Sequence, residues 1–472
     1  MGEEMEVIIS NQITIREPTL EVELWCRNRL RIRNPEYIKK KRMGFWTGNI
    51  PEQLVLFQRN GEDIILPYGC VYSITEMIGG EDTLTTNFKS PREVSFGCDI
   101  PLYDYQEKAV NETQFWYCGI IQSPAGSGKT QMGLALAARL GRKTLWLTHT
   151  KDLLLQSKQR AEQYMDSSLL GTITEGRVNI GKAITFATVQ TMASLNLPLL
   201  RDEWDVIIVD ECHHVAGTPT AVTQFSKVLD NLAARHKYGL SATVHRADGL
   251  IQATYAILGN IIYEVPEEAV AGKIRKVAVL AKGTGTGITP ECLHFDGTVI
   301  YAKLIDHLTS DRRRNEIIRR DILDEYGDGH SCLVLSERLD HLSSLMASLP
   351  PEARREAVMV SGKMSTKKGK AEREQAIEDM KAGRKKILFA TYALAKEGLD
   401  IPRLDRLFLT TPQKDFAVIT QSIGRIARDF PSKGEPVCFD YVDNIQSMAK
   451  SFKRRCTIYR KAGCRFIEGV RE

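Results

Sequence analysis

Residues 118–140, CGIIQSPAGSGKTQMGLALAARL, constrain the fold more than any other stretch of the chain. A short apolar run ends at Ile121, a glycine-bearing turn follows, and from about Lys129 apolar residues recur at helical spacing. A buried strand that turns straight into a helix belongs to a parallel sheet with helices on both faces. The turn nearly matches G-x-x-x-x-G-K-[ST], with Ser123 in the first slot. In that setting backbone N–H groups and the helix N-terminus surround phosphate, Lys129 meets the β and γ charges, and Thr130 ligates Mg2+. Gly126, Gly128, Lys129 and Thr130 are the demanding positions, with Ser127 between the glycines. Ser123 stands where the chain leaves the strand, and a small hydroxyl residue is compatible with that place. A chance glycine-rich turn is the competing reading, and the flanking strand and helix count against it.

The same rhythm continues along the chain. TLWLT, AITFA, DVIIVD and YGLSAT alternate with helical stretches up to about residue 264. Residues 265–291 break it with Gly, Thr and Pro and read as a joint. CLVLS, AVMVS, KILFAT, DRLFLTT and PVCFDYV then resume it. The expected architecture is α/β, with two tandem domains of parallel sheet flanked by helices, at 99–264 and 265–472. Residues 1–98 carry short alternating runs such as EVIIS and GEDIILPYG, which predict a small strand-rich or α+β accessory domain.

Composition narrows the setting. No apolar run approaches the ~20 residues needed to span a bilayer, so no membrane association is expected. Ten cysteines are scattered over 472 residues without any Cys-x-x-Cys, which predicts neither zinc ribbon nor disulfide framework and points to a reduced, cytoplasmic setting. The net charge of +5 is mild, but its distribution is uneven. Arg27, Arg29, Arg31, Arg33, Lys39, Lys40, Lys41 and Arg42 are opposed only by Glu36, and Phe45 and Trp46 follow at once. A basic strip beside aromatics suits nucleic-acid backbone and stacking, and equally suits a solvated face. RRRNEIIRR at 312–320 reads as an amphipathic helix, and SFKRRCTIYRKAGCRF near the end as a closing helix or a further contact.

A magnesium nucleotide site needs a second anchor, and DVIIVDECHH supplies one. The apolar strand 206–209 delivers Asp210, able to hold the metal, and Glu211, able to orient or deprotonate the attacking water. With a phosphate loop upstream, a mere helix-capping pair is the lesser reading. Asp210-Glu211-Cys212-His213 resembles the D-E-x-H box of superfamily 2 helicases and translocases, and the other motifs of that family follow in order over residues 99–445. PLYDYQ resembles the adenine-reading segment, which implies roles for Gln106 and for Tyr103, the latter replacing an Arg common in the family. LTHTKDLLLQ and TFATVQTM resemble the loops that grip nucleic acid. YGLSAT resembles the segment whose Ser241 and Thr243 would couple nucleotide state to domain movement. CLVLSERLDHL, ILFATYALAKEGLDIP and QSIGRIAR resemble the motifs of the second domain. The resemblance implies two RecA-like domains and ATP with Mg2+ as cofactors.

By the same resemblance Lys129, Asp210, Glu211, Gln421, Arg425 and Arg428 would serve hydrolysis, the two arginines as fingers on the γ-phosphate. Gly398 and Asp400 would lie near the ribose. Thr148, Thr150, Thr188, Gln190, Ser336 and Thr391 would contact nucleic-acid backbone with little sequence preference, and Arg29, Arg31, Lys39 and Lys40 would extend that surface. Ala427 replaces a usual Gly. GLSATVHRADGL resembles the XPB/UvsW-like branch, whose members act on double-stranded or branched DNA. Arg246 and Asp248 fall near a charged Arg-Glu-Asp element of that branch, with Ala247 in place of its Glu. The expectation is an ATP-dependent DNA helicase or translocase. An RNA-dependent ATPase and an ATP-gated DNA-binding subunit of a larger assembly are the alternatives. No nuclease pattern stands out, so cutting would fall to a partner, a separate nuclease or a repair or recombination factor.

Overall fold

The computed structural model describes residues 5–79, 83–91, 93–94, 96–215, 219–242, 250–270, 275–362, 367–397, 399–431 and 433–467. The chain divides into two compact units, Met1–Pro124 with Gly128–Ala269 and Val270–Glu472 with Ala125–Ser127. The fold is α/β, built on parallel sheets with helices, with a strand-rich N-terminal region.

In the first unit the N-terminal sheet has five strands, ordered Gln58–Asn60, Asp63–Pro67, Gln12–Arg16, Glu6–Ile9 and Thr83–Thr86. Alternate residues are buried along Glu6–Ile9 and Gln12–Arg16, as expected of a sheet with one covered face. Val7, Ile9, Ile13, Ile15, Ile64 and Leu66 pack under the helix Leu20–Arg29, which Thr19 caps at the Val22 amide. The closing strand Thr83–Thr86 pairs parallel with Glu6–Ile9, the other ladders being antiparallel.

The large sheet of this unit has eight strands. Their order is Arg177–Asn179, Leu170–Thr174, Ile184–Thr188, Thr144–Thr148, Val206–Asp210, His236–Ser241, Cys118–Gln122 and Ile261–Glu264. All pairings are parallel except the first, a hairpin. Thr144–Thr148, Ile184–Thr188 and Val206–Asp210 are buried at every position, because helices cover both faces. The N-terminal module shares this core. Lys237, fully buried, donates from Nζ to the carbonyls of Leu229 (2.7 Å) and Asn11 (3.0 Å) and lies over the Tyr68 ring. The Tyr68 hydroxyl donates to the Arg235 carbonyl at 2.6 Å.

The second unit holds a seven-stranded sheet with every ladder parallel. Its order is Ala357–Val360, Ile387–Thr391, Cys332–Ser336, Arg406–Leu409, Val437–Val442, Ala278–Gly283 and Arg465–Ile467. The segment 265–291, expected as a joint, therefore contains a full sheet strand. Its Gly and Thr residues cluster past that strand, and its apolar part, Ala278 and Val279, is buried. RRRNEIIRR lies in the helix Arg312–Gly327, where Arg314 turns inward to a buried ion pair with Asp443 at 2.8 Å. The basic terminal stretch forms the helix Gln446–Lys461, held inward by Arg455 on Asp440 at 2.8 Å and by Tyr459 on the same carboxylate. Among the described residues no helix is long and apolar enough to cross a membrane.

One contact sets how closely the N-terminal module approaches the helix Ile251–Leu258. A Cβ added at Gly69 would lie within 2.7 Å of Gly259 N, Tyr255 O and Ala256 O, all backbone atoms that cannot yield alone. At Gly97 nothing lies within 4 Å. Gly69→Ala is expected to destabilise the chain by about 3 kcal/mol through overpacking. Gly97→Ala should stay within about 0.5 kcal/mol of the parent. Urea unfolding of both variants checks the contrast.

Candidate functional site

The phosphate-type loop follows the strand Cys118–Gln122 and precedes the helix Lys129–Leu140. Ser123 is fully buried, and its N–H donates to the Ser241 carbonyl at 3.0 Å, carrying the strand pairing one residue beyond the strand. Gly126 and Gly128 have φ of +86° and +79°, which a side chain would strain. A Cβ at Gly128 would also lie no farther than 2.7 Å from Gln106 Nε2 and Gln131 Oε1. Behind that turn the first helical amides face outward without intrahelical partners, a ready anion site. Thr130 is half-buried, and the Lys129 side chain, 10% exposed, has its Nζ 3.8 Å from Glu211 Oε1.

Asp210 and Glu211 end the fully buried strand Val206–Asp210. Asp210 Oδ1 accepts from the Glu211 N–H at 3.0 Å, and Oδ2 accepts from Ser157 Oγ at 3.1 Å. Glu211 sits at φ +49°, a left-handed conformation that costs a residue with a side chain on the order of 1 kcal/mol. Its Oε2 lies 3.3 Å from His213 Nδ1, which is 3.1 Å from Ser241 Oγ. Burial, then the Glu211 charge, raises the Asp210 carboxyl above its ordinary range. Burial opposes charge on Glu211 as well, but Lys129 and His213 outweigh it and hold that carboxyl well below the ordinary range. The rings of His149 and His214 stack with centroids 4.7 Å apart, and the His213 ring lies tilted against His214 at 4.2 Å.

Ser157 is the contact that sequence reasoning missed. It lies on the helix Lys151–Glu162, whose buried positions are Leu154, Ser157 and Ala161. A lone hydroxyl on that otherwise apolar stripe was the available signal. Gln106 is buried, and its Oε1 accepts from the Tyr103 N–H at 2.9 Å. Tyr103 is half exposed and stacks on Tyr105 with centroids 5.8 Å apart. Thr243 lies outside the described residues, as do Arg246, Ala247 and Asp248.

The expected nucleic-acid groups divide by exposure. Thr148 is buried and donates to the Thr150 carbonyl, and Ser336 is buried against His341 Nδ1 and the Arg338 amide. Both hydroxyls make hydrogen bonds within their own loops. Thr188 is also buried, donating to Thr191 Oγ at 2.9 Å. Thr150 and Thr391 are half-buried and Gln190 is exposed, tied to the His149 carbonyl at 2.9 Å. On the N-terminal module Arg29, Arg31 and Lys39 are exposed and Lys40 is half-buried, with Phe45 and Trp46 61% and 87% exposed.

In the second unit Gln421, Arg425 and Arg428 lie on or just after the helix Phe416–Ile426. Gln421 is buried with Oε1 lacking a hydrogen-bond partner among the described residues. Arg425 Nε donates to the Ala395 carbonyl at 2.9 Å, and Arg428 pairs with Asp400. Gly398 lies outside the described residues.

The residues of the first unit fit a magnesium nucleotide. Open helix amides and an almost buried ammonium suit phosphate, and the oxygens of Thr130 and Asp210 are the hard ligands that Mg2+ prefers. Glu211 Oε2 is buried beside His213 Nδ1 at 3.3 Å, and its Oε1 faces Lys129 Nζ at 3.8 Å.

Known proteins agree with this geometry. Residues 99–246 match the family model "Type III restriction enzyme, res subunit", and residues 313–429 match "Helicase conserved C-terminal domain". The protein L396 of Acanthamoeba polyphaga mimivirus, named for ATP-dependent RNA helicases, is 27% identical over 350 residues, 73% of this chain and 64% of that protein. The DNA 3'-5' translocase XPB2 of Sulfurisphaera tokodaii is 31% identical over 211 residues, 45% of this chain and 46% of that protein. The chain thus spans less than two thirds of the first relative and less than half of the second. The structure of S. cerevisiae Dbp5 bound to RNA and ADP BeF3 shares the fold at 19% identity and TM-score 0.54, over 78% of this chain and 90% of that one. Two helicase models in tandem, falling on the two parallel sheets, mark the chain as a member of helicase superfamily 2 with XPB-type relatives.

Proposed function

We propose that the chain is an ATP-driven helicase or translocase that moves on or remodels duplex or branched DNA. The observation that carries this reading is the convergence of Lys129, Asp210, Glu211 and Ser241 at the carboxyl ends of three adjacent strands. Bound MgATP would supply the phosphoanhydride whose hydrolysis drives movement. Lys129 and the helix amides hold the phosphates, and Thr130 and Asp210 hold the metal. Glu211, kept ionised by Lys129 and His213, accepts a hydrogen bond from the attacking water and orients it. Its tie through His213 to Ser241 links the state of that carboxylate to the next strand tip.

Arg425 and Arg428, with Gln421, supply positive charge and donors to the transition state. Asp400, placed near the ribose by the family resemblance, pairs with the Arg428 guanidinium. Gly398, Tyr103 and Gln106 belong to the nucleotide's base and ribose end, and Ser241 with Thr243 to coupling. Thr150, Gln190 and Thr391 offer uncharged donors to a backbone, and the strip Arg29, Arg31, Lys39 and Lys40 adds electrostatic affinity. DNA is favoured by the resemblance at 238–250 and by the relative named as a DNA translocase. The mimivirus relative named for RNA helicases is the observation behind a second reading, an RNA-dependent ATPase.

Steady-state ATP hydrolysis with single-stranded DNA, duplex, a four-way junction and RNA tests the substrate. Duplex or junction should stimulate the rate about tenfold or more, and Lys129→Ala should abolish it. Stimulation by RNA alone would overturn the DNA reading and leave the fold intact.

Ser157→Ala should lower kcat about tenfold by freeing the Asp210 carboxylate and should raise the Mg2+ concentration at half-maximal rate. Unchanged magnesium dependence would reduce Ser157 to a packing residue.

Converting Arg29, Arg31, Lys39 and Lys40 together to Gln should weaken duplex binding and flatten the plot of log affinity against log salt by about three. An unchanged slope removes the strip from the DNA surface.

A further inference from the structure

A cleft of about 290 Å3 opens in the first unit, at the end of the large sheet opposite the phosphate loop. Its lining residues Tyr117, Arg142, Asp205 and Arg235 each lie one or two positions before a strand begins, at Cys118, Thr144, Val206 and His236. Parallel strands begin at one edge and end at the other, so this is the amino edge, and Lys129, Asp210 and Ser241 stand at the carboxyl edge. Phe88 and Lys89 of the N-terminal region close the cleft.

Phe115 and Tyr117 line it, with Trp116 between them in the chain, and the three are 80%, 47% and 38% exposed in that order. Trp116 and Tyr117 are held rather than loose. The Tyr117 N–H donates to the Tyr72 hydroxyl at 2.7 Å, Tyr72 meets Trp116 edge-on at 5.1 Å, and the Tyr238 hydroxyl donates to the Trp116 carbonyl. The Tyr117 ring lies 5.5 Å from that of His236. Exposed aromatics fixed in place lose little entropy when a partner covers them, which is the usual character of interface anchors.

The charges of the cleft carry both signs. Arg142 forms only a loose pair with the exposed Glu93 at 3.5 Å, and its buried Nη1 has no hydrogen-bond partner among the described residues. Arg235 lies over the Phe88 ring, and Lys89 reaches Asp202 at 3.3 Å. A phosphate chain would meet Asp202, Asp205 and Glu93 along with the cations, whereas a peptide can place one carboxylate on the guanidiniums and avoid the acids. We propose that this cleft docks a linear segment of a partner protein, inserting an apolar side chain beside Phe115 and Tyr117 and setting an adjacent carboxylate on Arg142 and Arg235. The site is separate from the nucleotide chemistry and does not depend on the choice between DNA and RNA.

The test selects short random displayed peptides on the immobilised full chain and measures the enriched peptides, synthesised with a fluorophore, by anisotropy. Enriched peptides should share an apolar residue next to Asp or Glu. Their Kd should rise about tenfold or more in Phe115→Ala and in Arg142→Gln, with ATP hydrolysis at the parental rate. Because Arg142 is half-buried, Lys89→Glu at an exposed position gives a further reading, and it should repel the same peptides. Absence of enrichment over bait-free selection overturns the proposal, as does equal affinity in all variants. Displacement of the peptides by oligothymidylate overturns it too and assigns the cleft to a nucleic-acid strand.

Discussion

The nucleotide site depends on the register of three parallel strands. Gln122 pairs with Ser241, and Leu240 pairs with Asp210, so the strands Cys118–Gln122, His236–Ser241 and Val206–Asp210 end level with one another. The Ser123 amide adds one more bond of the same ladder and fixes where the phosphate loop departs. A slip of one residue would turn Asp210 to the opposite face of the sheet and part it from Ser157 and Lys129. Full burial of the strand Val206–Asp210 makes such a slip costly, because Ile207 and Val209 pack on one side and Ile208 on the other.

That register places two carboxylates and one ammonium in a buried corner. Lys129 offsets the Glu211 charge, and Ser157 with the Glu211 amide satisfies Asp210, yet an excess of negative charge remains. Burial first, and then the Glu211 charge, raises the Asp210 carboxyl above its ordinary range. A divalent cation on Asp210 would remove the excess, and phosphate on the helix amides would add it back on the other side of the metal. Metal and nucleotide therefore suit this corner together better than either does alone.

Much of this was readable from residue order. Short, largely apolar runs such as VIIVD and TLWLT between turn signals read as strands covered on both faces, and the N-terminal EVII and QITIR alternate as one-sided strands do. Sequence spacing could not show which strands become neighbours. Thr83–Thr86 reaches back to pair with Glu6–Ile9, and the strand Ala278–Gly283 hides in a stretch rich in Gly and Thr. At the site, the loop and the box stand out because their glycines and acids are needed for chemistry. Ser157 does not, since a serine on a helix is ordinary until the fold turns it toward Asp210. Thr148 and Ser336 show something else that spacing cannot give, the hydrogen bonds that a motif hydroxyl makes within its own loop.

The two edges of the large sheet have different physical characters, and this bears on what a partner at the amino edge could do. The strands between the edges are about 15 Å long and packed on both faces, so they resist bending. The aromatics beside the cleft are fastened to Tyr72 and Tyr238, and the N-terminal module is fastened to the same edge through Lys237 and Tyr68. A segment filling the cleft would add area to a surface that is already ordered and would leave the carboxyl edge in place. Coupling to hydrolysis would require a second arrangement of that edge that both sites bias. The geometry therefore favours tethering, in which a partner rides with the enzyme while Lys129, Asp210 and Glu211 keep their positions.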